Sequence, residues 1–354
     1  MPPRIAALAV IAALGGPAAA PAQPAVFPDS TWATATPAEV GLDVAKLDEL
    51  AQTVGGAGFI VRYGYHVYAW GDTTHRWDWG SASKPVISTL LFFADQEGLC
   101  TIQSAVGDFM PGGSPKDSSI TFFHLANMTS GYSRGEWPGQ AWAYNDFAIN
   151  LYGYVLCYQV FGMTPQAVFD GHFGFLQMED APVLDGASQY ARIKHMSVRD
   201  YARLGLFWLH RGNWDGVQIL PPSYFDTYVT NQVPSQLPRT TQNGPESWNL
   251  GSNGGGDNQT RNLQGHYGMN FWVNTNGLWA GLPANVYQAN GHDGGEVCTI
   301  LPDLELVAAS AGASWGHPST ATIQLLYDAA GAPTSAGRGT KSSSWGGVKV
   351  GYRR

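Results

Sequence analysis

Charge is scarce in this chain: only 13% of its 354 residues are Asp, Glu, Lys or Arg, and the formal net charge is -8. With acids in excess and no basic stripe beside the aromatics, a phosphate-tracking surface is excluded and nucleic acid is not a partner. Cysteine is scarcer still. Cys100, Cys157 and Cys298 cannot all pair within one chain, and none belongs to a C-x-x-C or a Cys/His cluster of zinc spacing. They read most simply as buried small hydrophobes, with a Cys100–Cys157 bridge open to an exported protein. The nine histidines are scattered, with no H-E-x-x-H, so neither a metal nor a cofactor is predicted. A long apolar run is also missing, since the stretch from Ile5 to Leu14 is too short for a comfortable membrane span.

What is present suffices for a globular core: 44% of residues are apolar and 12% aromatic. Arg4, the short apolar stretch and the small residues Ala18 to Ala22 have the form of a secretory signal over residues 1–22, with a permanent N-terminal anchor as the alternative. A secreted or periplasmic protein is expected, with no stable span after cleavage. Phe59 to Trp70 reads as a hairpin turning at Gly64, and helical patterns dominate from Ser81 to about Thr230. Residues 232–262 have the composition of a long surface loop, after which short strands return at His266–Val273, Val286–Gly291, Glu296–Leu301 and Leu304–Ala309, followed by a helix over Thr320–Ala330. Strands at both ends with helices between predict an α+β fold. One antiparallel sheet is assembled from both ends of a domain spanning residues 23–331, and an all-helical lobe over about 80–255 is inserted between them. The tail, 332–354, has little to bury and reads as disordered.

The most informative feature is Ser81-Ala82-Ser83-Lys84, between Gly80 and Pro85 at the head of an apolar helical run ending near Gly98. Residues three apart on a helix share a face, so Lys84 can reach the Ser81 hydroxyl. A serine is a weak nucleophile until a base takes its proton, and a lysine is such a base only if burial or nearby positive charge lowers its pKa. The apolar helix body would bury the lysine stem. Two later segments could complete a site: Pro138 to Asp146, where a Pro-Gly turn leads to Tyr144 just ahead of a helix, and Gly291-His292-Asp293-Gly294-Gly295, where missing side chains allow close approach to the backbone. A plain reading stands beside each: Tyr144 as a packing tyrosine, and the glycines as a hairpin turn. Trp77, Trp79, Trp137 and Trp142 lie near these motifs and read equally as pocket wall or core.

The order of these motifs resembles the serine β-lactamase and penicillin-binding-protein superfamily, and within it the class C β-lactamase-like serine hydrolases, which include esterases, D-aminopeptidases and DD-peptidases. The resemblance runs from about Phe59 to Ala330 and takes in Leu125–Gly131 (LANMTSG) and Ser197–Tyr224. It implies Ser81 as acylated nucleophile and Lys84 and Tyr144 as acid/base groups. It also implies the N–H groups of Ser81 and Gly295 as oxyanion hole, and Asp146, His292 and Gly294 as substrate contacts. The implied substrate is a small ester, amide or short peptide.

Two departures shift the expectation. The family's Tyr-x-Asn is Tyr144-Asn145-Asp146 here, and an ionised Asp146 could keep Lys84 charged, favouring Tyr144 as base. Lys-Thr-Gly is His292-Asp293-Gly294, which removes a fixed positive charge and tilts the reading from antibiotics towards esters and simple amides. A DD-peptidase or β-lactamase on the same fold is the first alternative. A non-catalytic member that binds peptidoglycan fragments or acts as a scaffold is the second. Gly312-Ala313-Ser314-Trp315-Gly316 matches the G-x-S-x-G elbow of α/β-hydrolases, but the only later histidine is the near neighbour His317, where that fold needs an acid and a distant histidine.

Overall fold

The computed structural model describes residues 25–186, 189–252 and 263–331. The expected signal segment 1–22, the tail 332–354 and part of the loop 232–262 lie outside the described residues.

Seven strands form one antiparallel sheet: β1 (Ala57–Arg62), β2 (Tyr65–Trp70), β3 (Tyr267–Gly268), β4 (Phe271–Val273), β5 (Tyr287–Gly291), β6 (Glu296–Leu301) and β7 (Leu306–Ala311), in the order β2-β1-β7-β6-β5-β4-β3. The two ends of the chain thus meet in mid-sheet, with Ala57 opposite Ala311 and Arg62 opposite Leu306. Every residue of β1, β6 and β7 is buried, because both faces of the sheet are covered. Helices α1 (Val44–Val54) and α5 (Thr320–Ala329) pack on each other, and α4 (Val198–Leu209) lies on β1, β6 and β7. Gly205 of α4 makes that approach possible: a Cβ there would stand 2.5 Å from Val307 Cγ1 and 2.7 Å from Cys298 Sγ.

The inserted segment carries α2 (Lys84–Gln96), α3 (Asp146–Tyr154) and shorter helices, and it departs from expectation in two ways. It is not all helical, since Val183–Leu184 pairs with Ile193–His195 and Asn213–Trp214 with Val217–Gln218 in short ribbons. Its last long helix, α4, belongs to the sheet layer. That helix buries every residue but Arg199, which only a position between sheet and lobe allows. The expected strand His266–Val273 is instead a tight hairpin, because Met269 and Asn270 adopt left-handed φ values of 49° and 65°. All three cysteines are buried and free, so no bridge joins Cys100 to Cys157.

Candidate active site

Ser81 sits not on α2 but on the 3-10 turn Gly80–Ser83 that leads into it. In that tighter winding residues i and i+3 eclipse, and Lys84 Nζ donates to Ser81 Oγ at 2.6 Å. Pro85 occupies the first turn of α2, and Gly98 follows its C-cap with φ 72°. Lys84 to Ala94 are all buried, so the lysine stem is sunk in the core and only its ammonium meets polar groups. The turn is pinned by partners from residues 193–201. Tyr201 Oη donates to the Ala82 carbonyl, Trp79 Nε1 donates to the Met196 carbonyl, and Ser83 Oγ accepts from the Ile193 N–H.

Asn145 is the N-cap of α3, its Oδ1 accepting from the Phe147 N–H at 2.9 Å while its Nδ2 donates to the Tyr132 carbonyl. Asp146, one residue on, places its carboxylate 3.0 Å from Lys84 Nζ. Burial alone would push the Lys84 pKa down. The Asp146 carboxylate and the Tyr144 phenolic oxygen outweigh it, and the net shift is upward. The raised pKa favours the ammonium form of Lys84, the direction that an ionised Asp146 beside it implies. Tyr144 is the third neighbour: Lys84 Nζ lies 4.7 Å from its ring centroid, and the ring stacks on Trp272 at 5.8 Å with an interplanar angle of 16°. Among the described residues no hydrogen bond joins the Tyr144 hydroxyl to Ser81.

The glycine-rich segment is the turn between β5 and β6, with His292, Asp293 and Gly294 at positive φ. The Gly295 N–H, expected in the oxyanion hole, donates to the Gly291 carbonyl at 3.0 Å and to the His292 carbonyl at 3.3 Å. It is engaged inside its own turn. Gly294 abuts the loop carrying Gly316 rather than the nucleophile, and its carbonyl accepts from the Trp315 N–H. The glycine that meets the nucleophile turn is Gly291, where a Cβ would lie 2.4 Å from the Trp79 carbonyl oxygen and 3.0 Å from the Ala82 nitrogen.

His292 packs its ring on Gly80, whose φ of 48° and lack of a side chain admit it; a Cβ there would be 2.7 Å from His292 Cε1. Both ring nitrogens are occupied. Nδ1 pairs with Glu296 Oε2 at 2.5 Å, and Nε2 faces Arg192 Nη2 at 3.4 Å. The Glu296 hydrogen bond raises the His292 pKa above its ordinary value, outweighing partial burial and the repulsion from Arg192. Arg192 is gripped by Asp78, Nε to Oδ1 at 2.7 Å and Nη2 to Oδ2 at 3.0 Å, and Asp78 Oδ1 also accepts the Gly80 N–H at 3.0 Å. Asp78, Arg192 and Glu296 are absent from the residues expected from sequence. They carry no periodic signal, and only the fold joins them.

An open cleft lies beside Ser81, walled by Lys84, Ile87, Asp146, Gln189 and Arg192 among others. The tryptophans do not wall it. Trp79 and Trp142 are fully buried, Trp79 stacking on Tyr201 and Trp142 packing edge-on to Tyr267, while Trp137 is exposed. Ser314 lies in the loop between β7 and α5, not at a strand-to-helix elbow. No group of His, Cys, Asp and Glu among the described residues is arranged to hold a metal ion, and no helix among them is long and apolar enough to cross a membrane.

Solved structures share this architecture. A putative β-lactamase from Bacteroides dorei superposes with a TM-score of 0.61 at 16% identity, covering 82% of this chain and 99% of its own. A penicillin-binding-protein homologue from Caulobacter crescentus gives 0.59 at 14%, covering 86% and 98%. A putative 6-aminohexanoate-dimer hydrolase from Bacillus anthracis gives 0.58 at 15%, covering 85% and 86%. At such identities the likeness establishes the fold. No curated protein matches the chain. Residues 44–322 match the family model described as Beta-lactamase, and with most of its length so matched, the chain belongs to the Beta-lactamase family.

Proposed function

We propose that this chain is an exported serine hydrolase of the class C β-lactamase-like kind, cleaving an ester or amide bond through an acyl group carried on Ser81. The observation that carries this reading is Ser81 Oγ held 2.6 Å from Lys84 Nζ, with Asp146 3.0 Å from the same nitrogen, at the edge of an open cleft. An ammonium has no lone pair to accept a proton, so Lys84 is the electrostatic partner and Tyr144 the first base. Ser81 Oγ attacks the carbonyl carbon and the π electrons move onto the carbonyl oxygen, while the hydroxyl proton passes to the Tyr144 oxygen. Collapse breaks the bond to the alkoxide or amine, which leaves with that proton. Water then repeats the sequence on the acyl-enzyme. The Tyr144 hydroxyl closes on Ser81 once substrate is bound, as general-base contacts often do. The Ser81 N–H, which meets no acceptor among the described residues, is the oxyanion donor this reading retains.

Labelling the purified protein with a fluorophosphonate and locating the added mass tests the proposal. Label on Ser81, absent in Lys84→Ala, is the expected result; label on Ser314, or none, overturns it. A chain recovered outside the cytoplasm with Gln23 at its N-terminus supports export. Rapid nitrocefin turnover would move the substrate to β-lactams on the same site. Absence of any label would favour a binding or scaffold member.

A further inference from the structure

The wall of the cleft opposite in chemistry to the Lys84–Asp146 pair is made of hydrogen-bond donors whose own acceptors are already engaged. Gln189 Oε1 accepts from Lys194 Nζ at 2.8 Å. A lysine only donates, so the orientation of that amide is settled and its Nε2 donors are left over. Arg192 gives Nε and one Nη2 hydrogen to Asp78 and directs Nη2 at His292 Nε2, while its Nη1 meets no group among the described residues. Asp78 in turn accepts from Gly80 and Arg192 and faces Lys194 at 3.5 Å. Two cations thus share one carboxylate, whereas Lys84 has Asp146 and His292 has Glu296. Arg192 and Lys194 both lean on Asp78, so this wall of the cleft is rich in cations. A side chain pinned this way presents its free edge without further loss of freedom.

We propose that Arg192 and Gln189 form an anion subsite, so that the favoured ester or amide bears a carboxylate on its acyl chain a few atoms from the scissile carbonyl. This deepens the hydrolase reading and rests on it. A carboxylate offers acceptors only, which is what this wall lacks. A neutral alkyl end would strand the Arg192 and Gln189 donors when it displaced water, which disfavours it. The positive charge absent at residue 292 is supplied here from a different loop. His292 is turned onto Glu296 through Nδ1, and its Nε2 lies 3.4 Å from Arg192 Nη2.

The test compares mono-p-nitrophenyl glutarate with p-nitrophenyl pentanoate, esters of similar length differing in terminal charge. The wild-type protein is expected to prefer the anionic ester in kcat/KM by roughly tenfold to a hundredfold at low salt. The preference should shrink as salt rises and fall to near unity or below in Arg192→Met. Equal use of both esters by the wild type, or an undiminished preference in the variant, overturns the subsite while leaving Ser81 chemistry intact. A calorimetric titration of the full chain with monomethyl glutarate and dimethyl glutarate needs no turnover, so it separates the two readings. Preferential binding of the monoanion supports the subsite even if neither ester is cleaved. Absent or equal binding of the two refutes it, including when Arg192→Met does not fold.

Discussion

Replacing Asp146 by Asn keeps shape and an acceptor while removing one charge, which isolates the electrostatic role of this carboxylate. At 3.0 Å, two unit charges attract by roughly 5 kcal/mol for an effective dielectric constant near 20. Removing a buried ammonium from water costs several kcal/mol. In the wild type the attraction to Asp146, helped by the Tyr144 phenolic oxygen, outweighs the desolvation, so the Lys84 pKa is raised despite burial. In Asp146→Asn the attraction is gone and the desolvation remains, so the pKa of Lys84 must fall. If activity requires an ammonium at Lys84, the basic limb of kcat/KM, set in the wild type by loss of the Lys84 proton above its ordinary range, moves to lower pH. Activity near neutrality should also drop by about a hundredfold, a common size for a misplaced acid/base group. The assay is hydrolysis of a neutral p-nitrophenyl ester between about pH 5.5 and pH 10, with a melting curve to confirm that the variant is folded. A profile that superimposes on the wild type would refute the reasoning, leaving Lys84 with no need of its counter-ion.

Other outcomes follow from the same geometry. Gly80→Ala meets His292 at 2.7 Å and a φ of 48°; it should cost about 1–3 kcal/mol in stability and displace Ser81, so labelling slows more than unfolding explains. Gly205→Ala drives a methyl into Val307 and Cys298 and should destabilise by about 1–3 kcal/mol in chemical denaturation with the active-site geometry preserved. Because its folded pKa is raised, His292 adds stability that is fully present below its unfolded pKa, near 6.5, and is lost as pH rises through the higher folded value. The melting-temperature gap between wild type and His292→Gln should accordingly be widest below about pH 6.5 and narrow as pH rises above it. Burial raises the thiol of Cys100 to about 12 and that of Cys157 to about 12, so native protein should resist thiol reagents that react readily after unfolding.

The elements legible in the sequence were those whose local pattern and tertiary role agree. The turn at Gly64, the apolar helix after Lys84 and the strands either side of Pro302 appear close to their expected bounds. Misreadings arose where context overrode pattern. His266–Val273 looks continuous in β-propensity, but Met269 and Asn270 turn the chain back on itself. Val198–Leu209 resembles any amphipathic lobe helix, and only its small Gly205 hints that a sheet presses against it. At the site, Lys84 reaches Ser81, as a spacing of three residues allows, and Asp146 comes to the same nitrogen from α3. The sign of the Lys84 shift did not follow from burial, because the outcome depends on a carboxylate 62 positions away in sequence, from 84 to 146. Asp78, Arg192 and Glu296 were invisible for a similar reason: each is an ordinary charged residue until β5, β6 and the 192 loop converge on Gly80.

The pairing of Ala57 with Ala311 also sets an order of events in the life of the chain. Strand β1, second from the edge, has no inner neighbour until β7 exists, and the turn bearing Ser81 is braced by residues near 291. Closing so long a loop must precede any reward from the contacts it creates, which makes folding slow. In an emerging chain the turn bearing Ser81 therefore lacks its brace until the segment near 291 is available. That latency suits a hydrolase read as leaving its compartment of synthesis unfolded, since acyl bonds on the near side would be spared.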